Sequence, residues 1–163
     1  FDSDSLPNIY NEIKIDMVVR SPELTPTYAN PTDGFMDIRV DLGENRKSYS
    51  VLAVPQGHTI MVPTGIQVSL PEDYVMLMVP RSSTGTKLKC MFANTMGVID
   101  AGYRDEIKMA VYNYGDKPVM LEHGQRIGQF MVIKRPKIHL NLVEDNEDFR
   151  QGDRKGGFGS SGV

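Results

Sequence analysis

Five stretches of this chain carry residue types that could handle a phosphorylated, ring-bearing ligand. Pro80-Arg81-Ser82-Ser83-Thr84-Gly85-Thr86-Lys87 follows an apolar run and opens the one helix candidate. Arg81 offers a planar fork of donors, Ser82 and Ser83 offer hydroxyls, and a helix start offers free backbone N–H groups. That set suits phosphate oxygens, although a capped helix with a surface arginine has the same sequence. In Asn94-Thr95-Met96-Gly97-Val98-Ile99-Asp100-Ala101-Gly102-Tyr103-Arg104, Asp100 ends an apolar run. A carboxylate fixed there can act as a general base, or simply as an Asx-turn residue. Tyr103 can cover a sugar or ring, and the backbone of a hairpin tip can pair with a base edge as a strand would. Arg126 and Gln129 stand at the start of a further apolar run, and Asp37 lies in or beside a strand after Asp33-Gly34-Phe35-Met36. Finally, the segment at 154–163 surrounds Phe158 with glycines, Ser160, Ser161, Arg154 and Lys155. Such a segment reads as a loose tail, or as a backbone cradle for an anion with an aromatic face beside it.

Other chemistries are excluded more readily. His58, His123, His139 and Cys90 have no metal-ligand spacing, so no zinc site is expected. No Gly-x-Ser-x-Gly elbow or Walker-type loop occurs. The 163 residues carry 18 basic and 21 acidic side chains, net charge −3, which argues against direct nucleic-acid binding. A single cysteine rules out an intrachain disulfide framework and suggests a reducing, cytoplasmic setting. No apolar stretch approaches the ~18 residues of a membrane span.

Short period-2 runs must position these residues. Strands are expected over 11–20, 35–42, 49–54, 58–62, 65–70, 74–79, 119–121, 127–133 and 138–143. Residues 96–99 and 103–112 are expected as the arms of a hairpin around Asp100-Ala101-Gly102. Residues 82–90 offer one short helix, with Ser82 or Ser83 as N-cap. About ten short strands with one weak helix imply an all-β class, a jelly roll or distorted β-barrel. The expected division is a barrel domain over 1–143 and an arm over 144–163. The acidic run Glu144-Asp145-Asn146-Glu147-Asp148 reads as a solvated linker. Extended, residues 144–155 would span about 40 Å.

In order and spacing, the five stretches resemble the motifs of the trimeric dUTP pyrophosphatase (dUTPase) family, from about Ile13 to Gly162. Gly97-Val98-Ile99-Asp100-Ala101-Gly102-Tyr103-Arg104 and the terminal Arg154-Lys155-Gly156-Gly157-Phe158-Gly159-Ser160-Ser161-Gly162 match closely. The departures are Gly34-Phe35-Met36 for an Ala-Gly-Tyr-type triplet, Ser83 for glycine, Asp105 for glycine, Gln125 for aspartate and Gly128 for alanine. They suggest a divergent, phage-like branch.

The resemblance implies a jelly-roll homotrimer whose sites are each assembled from three chains. It implies hydrolysis of dUTP to dUMP and pyrophosphate, which limits uracil in DNA and supplies dUMP for dTMP synthesis. In that frame Asp100 activates the water, and Asp37 holds Mg²⁺ through water. Arg81, Ser82, Ser83 and Gln129 bind phosphate. The backbone of Asn94, Gly97, Val98 and Ile99 pairs with uracil. Tyr103 covers the deoxyribose, and Lys108 belongs to the substrate-binding set. Phe158 stacks on the base, Arg154 meets the γ-phosphate, and Gly159, Ser160 and Ser161 complete the cover. Two rivals share the fold. A dCTP deaminase would need a glutamate where this chain has Ala110. A regulatory protein partner, engaged through the nucleotide-bound state, would be an added role.

Overall fold

The computed structural model describes residues 12–43, 51–152 and 156–157. Eleven strands are present among the described residues. They are β1 (Asp16–Val19), β2 (Met36–Arg39), β3 (Val51–Val54), β4 (Thr59–Pro63), β5 (Ile66–Ser69), β6 (Tyr74–Pro80), β7 (Cys90–Phe92), β8 (Gly97–Ile99), β9 (Lys108–Asn113), β10 (Val119–Glu122) and β11 (Arg126–Lys134). One α-helix, α1 (Ser82–Thr86), and a 3-10 turn, Pro22–Leu24, complete the described secondary structure.

The strands pair as four open sheets, β2-β11-β6-β8, β4-β9-β7, β1-β5 and β10-β3, rather than as one closed ring. All named pairs are antiparallel. The all-β jelly-roll class read from the alternating runs is the one observed. Strand alternation explains the core: in β9, Met109, Val111 and Asn113 are buried while Lys108 faces out. Phe92, Ile38, Met76, Ile66, Leu121 and Ile127 fill the same interior. At roughly 25 cal/mol per Å² of apolar surface removed from water, this burial is the main force holding the sheets together. Asn113 is fully buried yet satisfied, donating to the carbonyls of Val54 (3.0 Å) and Lys117 (2.7 Å). Cys90 is buried, and burial pushes its thiol pKa up, so it is a packing residue rather than a nucleophile.

A charged network ties the ends of β1 and β2 to the β10–β11 turn. Arg20 grips Asp41 with its guanidinium fork, Nε to Oδ2 at 2.6 Å. The Gly43 N–H donates to Asp41 Oδ1 at 2.7 Å. His123 Nδ1 accepts the Leu42 N–H at 3.1 Å, which places the ring proton on Nε2, 3.0 Å from Glu23 Oε1. Burial works against the Asp41 charge, but the Arg20 fork and the Gly43 N–H outweigh it and hold the carboxyl below its usual value.

Several elements differ from expectation. Residues 96–99 and 103–112 do not form the arms of one hairpin: β8 pairs with β6, whereas β9 pairs with β4 and β7. The chain between them crosses from one sheet to another. The helix stops at Thr86, and its N-cap is Arg81, not a serine, with no side-chain capping bond. Lys89, at φ 55°, turns the backbone straight into β7, a strand absent from the pattern reading. Residues 138–143 alternate like a strand but have no strand partner among the described residues, and Ile138, Leu140 and Leu142 are 76%, 75% and 90% exposed. The acidic run is not a plain extended linker. Asn146 Oδ1 accepts the Phe149 N–H (2.9 Å), and Arg150 pairs with Asp145, closing one turn over 147–150.

Candidate active site

Three of the motifs converge on one edge of the four-stranded sheet. Asp37 on β2 lies directly opposite Gln129 on β11, which lies opposite Val79 on β6. Two residues beyond Val79 comes Arg81. Its Nε is 3.0 Å from Asp37 Oδ1, and its backbone N–H donates to the Ile127 carbonyl at 3.2 Å. Gln129 Nε2 donates to the Pro80 carbonyl at 3.1 Å, which leaves its amide oxygen for another partner.

Arg126 reaches the same place by a backbone irregularity. The β11–β2 register shifts between Arg126 and Gly128, so Ile127 is an extra residue. Residues 126 and 129 would otherwise point to opposite faces of a strand. The bulge puts Arg126 on the face of Gln129 and Asp37, and its guanidinium lies 3.2 Å from Asp37 Oδ2. Arg39, two residues beyond Asp37 and paired with Arg126, shares this face and donates to the Gly124 carbonyl at 3.0 Å. The edge therefore sets two guanidinium groups on one carboxylate that is only 4% exposed, with Arg39 as a further cation on the same face. Its electrostatics favour a polyanion.

Short tethers hold α1 beside this edge. Thr84, buried, donates from its hydroxyl to the Ile127 carbonyl at 2.7 Å, and Tyr114 donates to the Gly85 carbonyl at 2.8 Å. Ser82 is exposed and Ser83 half-buried next to Arg81. A five-residue helix has little dipole. The anion preference comes from the arginines more than from the helix start expected to supply it.

Two departures from the family motifs find a structural reason. Gly128 sits where a Cβ would come within 2.7 Å of Met109 Sδ and 3.3 Å of Phe92 Cζ, so those side chains occupy the space an alanine would need. Gln125 closes the β10–β11 turn, its Oε1 accepting the Glu122 N–H at 2.9 Å.

Asp100 is elsewhere. β8 runs antiparallel to β6 with Ile99 opposite Met76, so Asp100 emerges near Val75, at the end of β6 away from Arg81. Arg81 lies six residue steps along the chain from Val75, about 20 Å. Asp100 is exposed, and its carbonyl accepts the Tyr103 N–H at 3.1 Å, forming a tight turn. Tyr103 is 42% exposed and its hydroxyl donates to the Glu106 carbonyl at 2.9 Å. Gln67 fastens the loop through the Arg104 carbonyl at 3.0 Å. Lys108 is exposed at the start of β9. Asn94 is exposed in the turn before β8, where Thr95 takes φ 63°. β8 is an edge strand, with β6 on one side and no strand on the other among the described residues. Gly97 is buried because a Cβ would press on Met78 at 2.9 Å, which lets β8 lie close to β6. Arg154, Phe158, Gly159, Ser160 and Ser161 lie outside the described residues.

A single chain thus brings together Asp37, Arg81, Ser82, Ser83 and Gln129. It does not bring Asp100, Tyr103 or Asn94 to them. Sequence reading singled out Arg126 beside Gln129 but not its contact with Asp37, because the bulge that aims it leaves no periodic signal; Arg39 was not singled out.

The chain is an all-β jelly roll whose arginine edge and Asp100 turn lie at opposite ends of β6. The dUTPase family model matches residues 45–162. A protein of Escherichia phage T5 named deoxyuridine 5'-triphosphate nucleotidohydrolase is 38% identical over 149 residues, covering 91% of this chain and 98% of its own. A protein of the same name from Photorhabdus laumondii is 32% identical, covering 91% and 97%. Among solved structures, the Staphylococcus bacteriophage 80alpha dUTPase with dUPNHPP superposes with a TM-score of 0.75 at 23% identity, covering 92% of this chain and 99% of that one. The Streptococcus mutans dUTPase gives 0.66 at 22% identity, covering 77% and 98%. The chain belongs to the dUTPase family. None of the helices among the described residues is long and apolar enough to cross a membrane.

Proposed function

We propose that this chain hydrolyses dUTP to dUMP and pyrophosphate at sites shared between the subunits of a homotrimer. The observation that carries the shared site is the separation along β6. The arginine edge and Asp100 are about 20 Å apart in one chain, too far for one nucleotide's α-phosphorus to meet both. A neighbouring copy must bring its Asp100 turn to the arginine edge. The exposed apolar residues beyond β11, Ile138, Leu140, Leu142, Val143 and Phe149, fit an arm that finishes folding on another copy.

In this reading Arg81, Ser82, Ser83 and Gln129 bind the phosphate oxygens. Asp100 of a second chain orients and deprotonates the water for in-line attack on the α-phosphorus. The free edge of β8, with Asn94, Gly97, Val98 and Ile99, pairs with uracil. Cytosine then fails by donor–acceptor mismatch and thymine by its methyl, and unpaired buried polar groups can discriminate by about 10⁴-fold. Tyr103 covers the deoxyribose, where a 2′-hydroxyl would sit, and Lys108 completes this side. The segment at 154–163 closes the site, with Phe158 on the base, Arg154 on the γ-phosphate and Gly159, Ser160 and Ser161 around them.

Mg²⁺ is the proposed cofactor. Among the described residues no group of three or more His, Cys, Asp or Glu could hold a metal. A lone carboxylate, Asp37, fits an ion carried by the triphosphate and touching the protein through water, since Mg²⁺ keeps much of its hydration shell. When bound, the ion neutralises charge on the phosphates and on the leaving pyrophosphate. The test is pyrophosphate release from dUTP, UTP, dTTP and dCTP with and without Mg²⁺. Release from dUTP alone, dependent on the cation, is expected. Equal release from all four would overturn the substrate, and unchanged release without Mg²⁺ would overturn the cofactor.

A further inference from the structure

We infer that Arg81 and Arg126 close Asp37 to free divalent cations, so that a cation joins this carboxylate only together with the polyphosphate that engages Arg81; Arg126 is thereby a positioning residue. This deepens the dUTPase reading and rests on it for the identity of the polyphosphate. Both carboxylate oxygens are already engaged, Oδ1 by Arg81 at 3.0 Å and Oδ2 by Arg126 at 3.2 Å. The two side chains reach Asp37 from the same side of β2: Arg126 from the bulge of the adjacent strand β11, and Arg81 from just past the end of β6, the next strand over. Arg39 adds a third cation on the same face. Two guanidiniums against one carboxylate leave net positive charge at Asp37, and a hydrated dication approaching it meets net repulsion.

A polyphosphate reverses the sign. Arg81 side-chain exposure is 27% and that of Arg126 is 40%, against 6% for Asp37, so the arginines are met first. Arg81 also donates to the Arg126 carbonyl at 3.3 Å, which keeps it beside β11 if it turns from Asp37 to phosphate. Oδ1 is then released while Oδ2 stays held by Arg126. One oxygen becomes available in a fixed direction, and only when anionic charge is present to offset the cation.

Mn²⁺ is the probe, titrated by EPR into nucleotide-free protein and again with a non-hydrolysable dUTP analogue. Wild-type protein without nucleotide should bind no more Mn²⁺ than Asp37→Asn. Arg126→Gln should gain Asp37-dependent binding, tighter by about tenfold or more for the loss of one nearby unit charge, and the double variant with Asp37→Asn should lose it. Arg126→Lys keeps the charge and should stay at the wild-type level, which separates charge from packing. Thermal melting checks folding, and Arg81→Gln reads the same gain should Arg126→Gln fail to fold. Asp37-dependent Mn²⁺ binding by nucleotide-free wild-type protein would overturn the inference. So would an Arg126→Gln or Arg81→Gln protein that binds Mn²⁺ no better than wild type. Wild-type pyrophosphate release from dUTP, measured separately, reports whether the enzymatic reading holds whatever the Mn²⁺ result.

Discussion

The two ends of β6 are built in opposite ways. At the Pro80 end the arginine edge is tied to its neighbours: Asp37 to two guanidiniums, the Gln129 amide nitrogen to a backbone carbonyl, and α1 to β11 and Tyr114. At the Val75 end, Asp100 sits exposed on a tight turn beside an edge strand whose other side has no strand partner among the described residues. The exposed arm also departs from that end, since Lys134 closes β11 opposite Tyr74 and Arg135 is pinned to the 71–74 turn. In the proposed reading the phosphate seat is complete within one chain, and the base and the arm serve another copy. Rigidity where charge must be aimed, and exposure where chains must meet, are the physical content of the difference.

Perturbing each end should have effects of different size and kind. Asp100→Asn removes the proposed base from the exposed end and should lower turnover by about 10³-fold with nucleotide binding retained. Single-turnover kinetics with parallel calorimetry check this, and near-normal turnover would remove Asp100 from that role. Deleting residues 154–163 should reduce kcat/KM by about 10²-fold, as loss of a water-excluding lid does, while light scattering still reports the intact assembly. A full-rate truncated protein would make the arm dispensable. Asp41→Asn acts on neither end directly, so it should cost stability rather than chemistry, about 2 kcal/mol at neutral pH. The folded-state pKa of Asp41 is lowered, so its contribution is fully present above the unfolded value near ~3.9 and is lost as pH falls through the folded one. Tm against pH should therefore flatten at the acid end in the variant. A variant curve parallel to wild type would show that Arg20–Asp41 is not a source of acid sensitivity.

Much of the arginine edge was legible in the sequence, because Asp37 and Gln129 lie within short apolar strand runs and Arg81 directly follows one. Arg126 was legible as a residue but not as a contact, since a one-residue bulge reverses a side chain's face without changing composition. The Cys90–Phe92 strand was missed for a related reason. Three residues are too few for a period, and the left-handed Lys89 just before the strand gives no sequence signal as glycine would. The supposed hairpin at Asp100 failed because pattern shows which residues alternate, not which strands they join. Residues 138–143 are the converse case. Their alternation specifies an apolar face, and none of the described residues covers it.

The central claim is that one site draws Asp100 and Arg81 from different chains. Its most direct test mixes two inactive variants, Asp100→Asn and Arg81→Gln, by co-refolding, and measures pyrophosphate release from dUTP. Shared sites predict recovery to about a quarter of the wild-type rate under random assortment in a closed homo-oligomer, because some sites combine an intact Asp100 with an intact Arg81. A mixture no more active than its separate components would contradict the account.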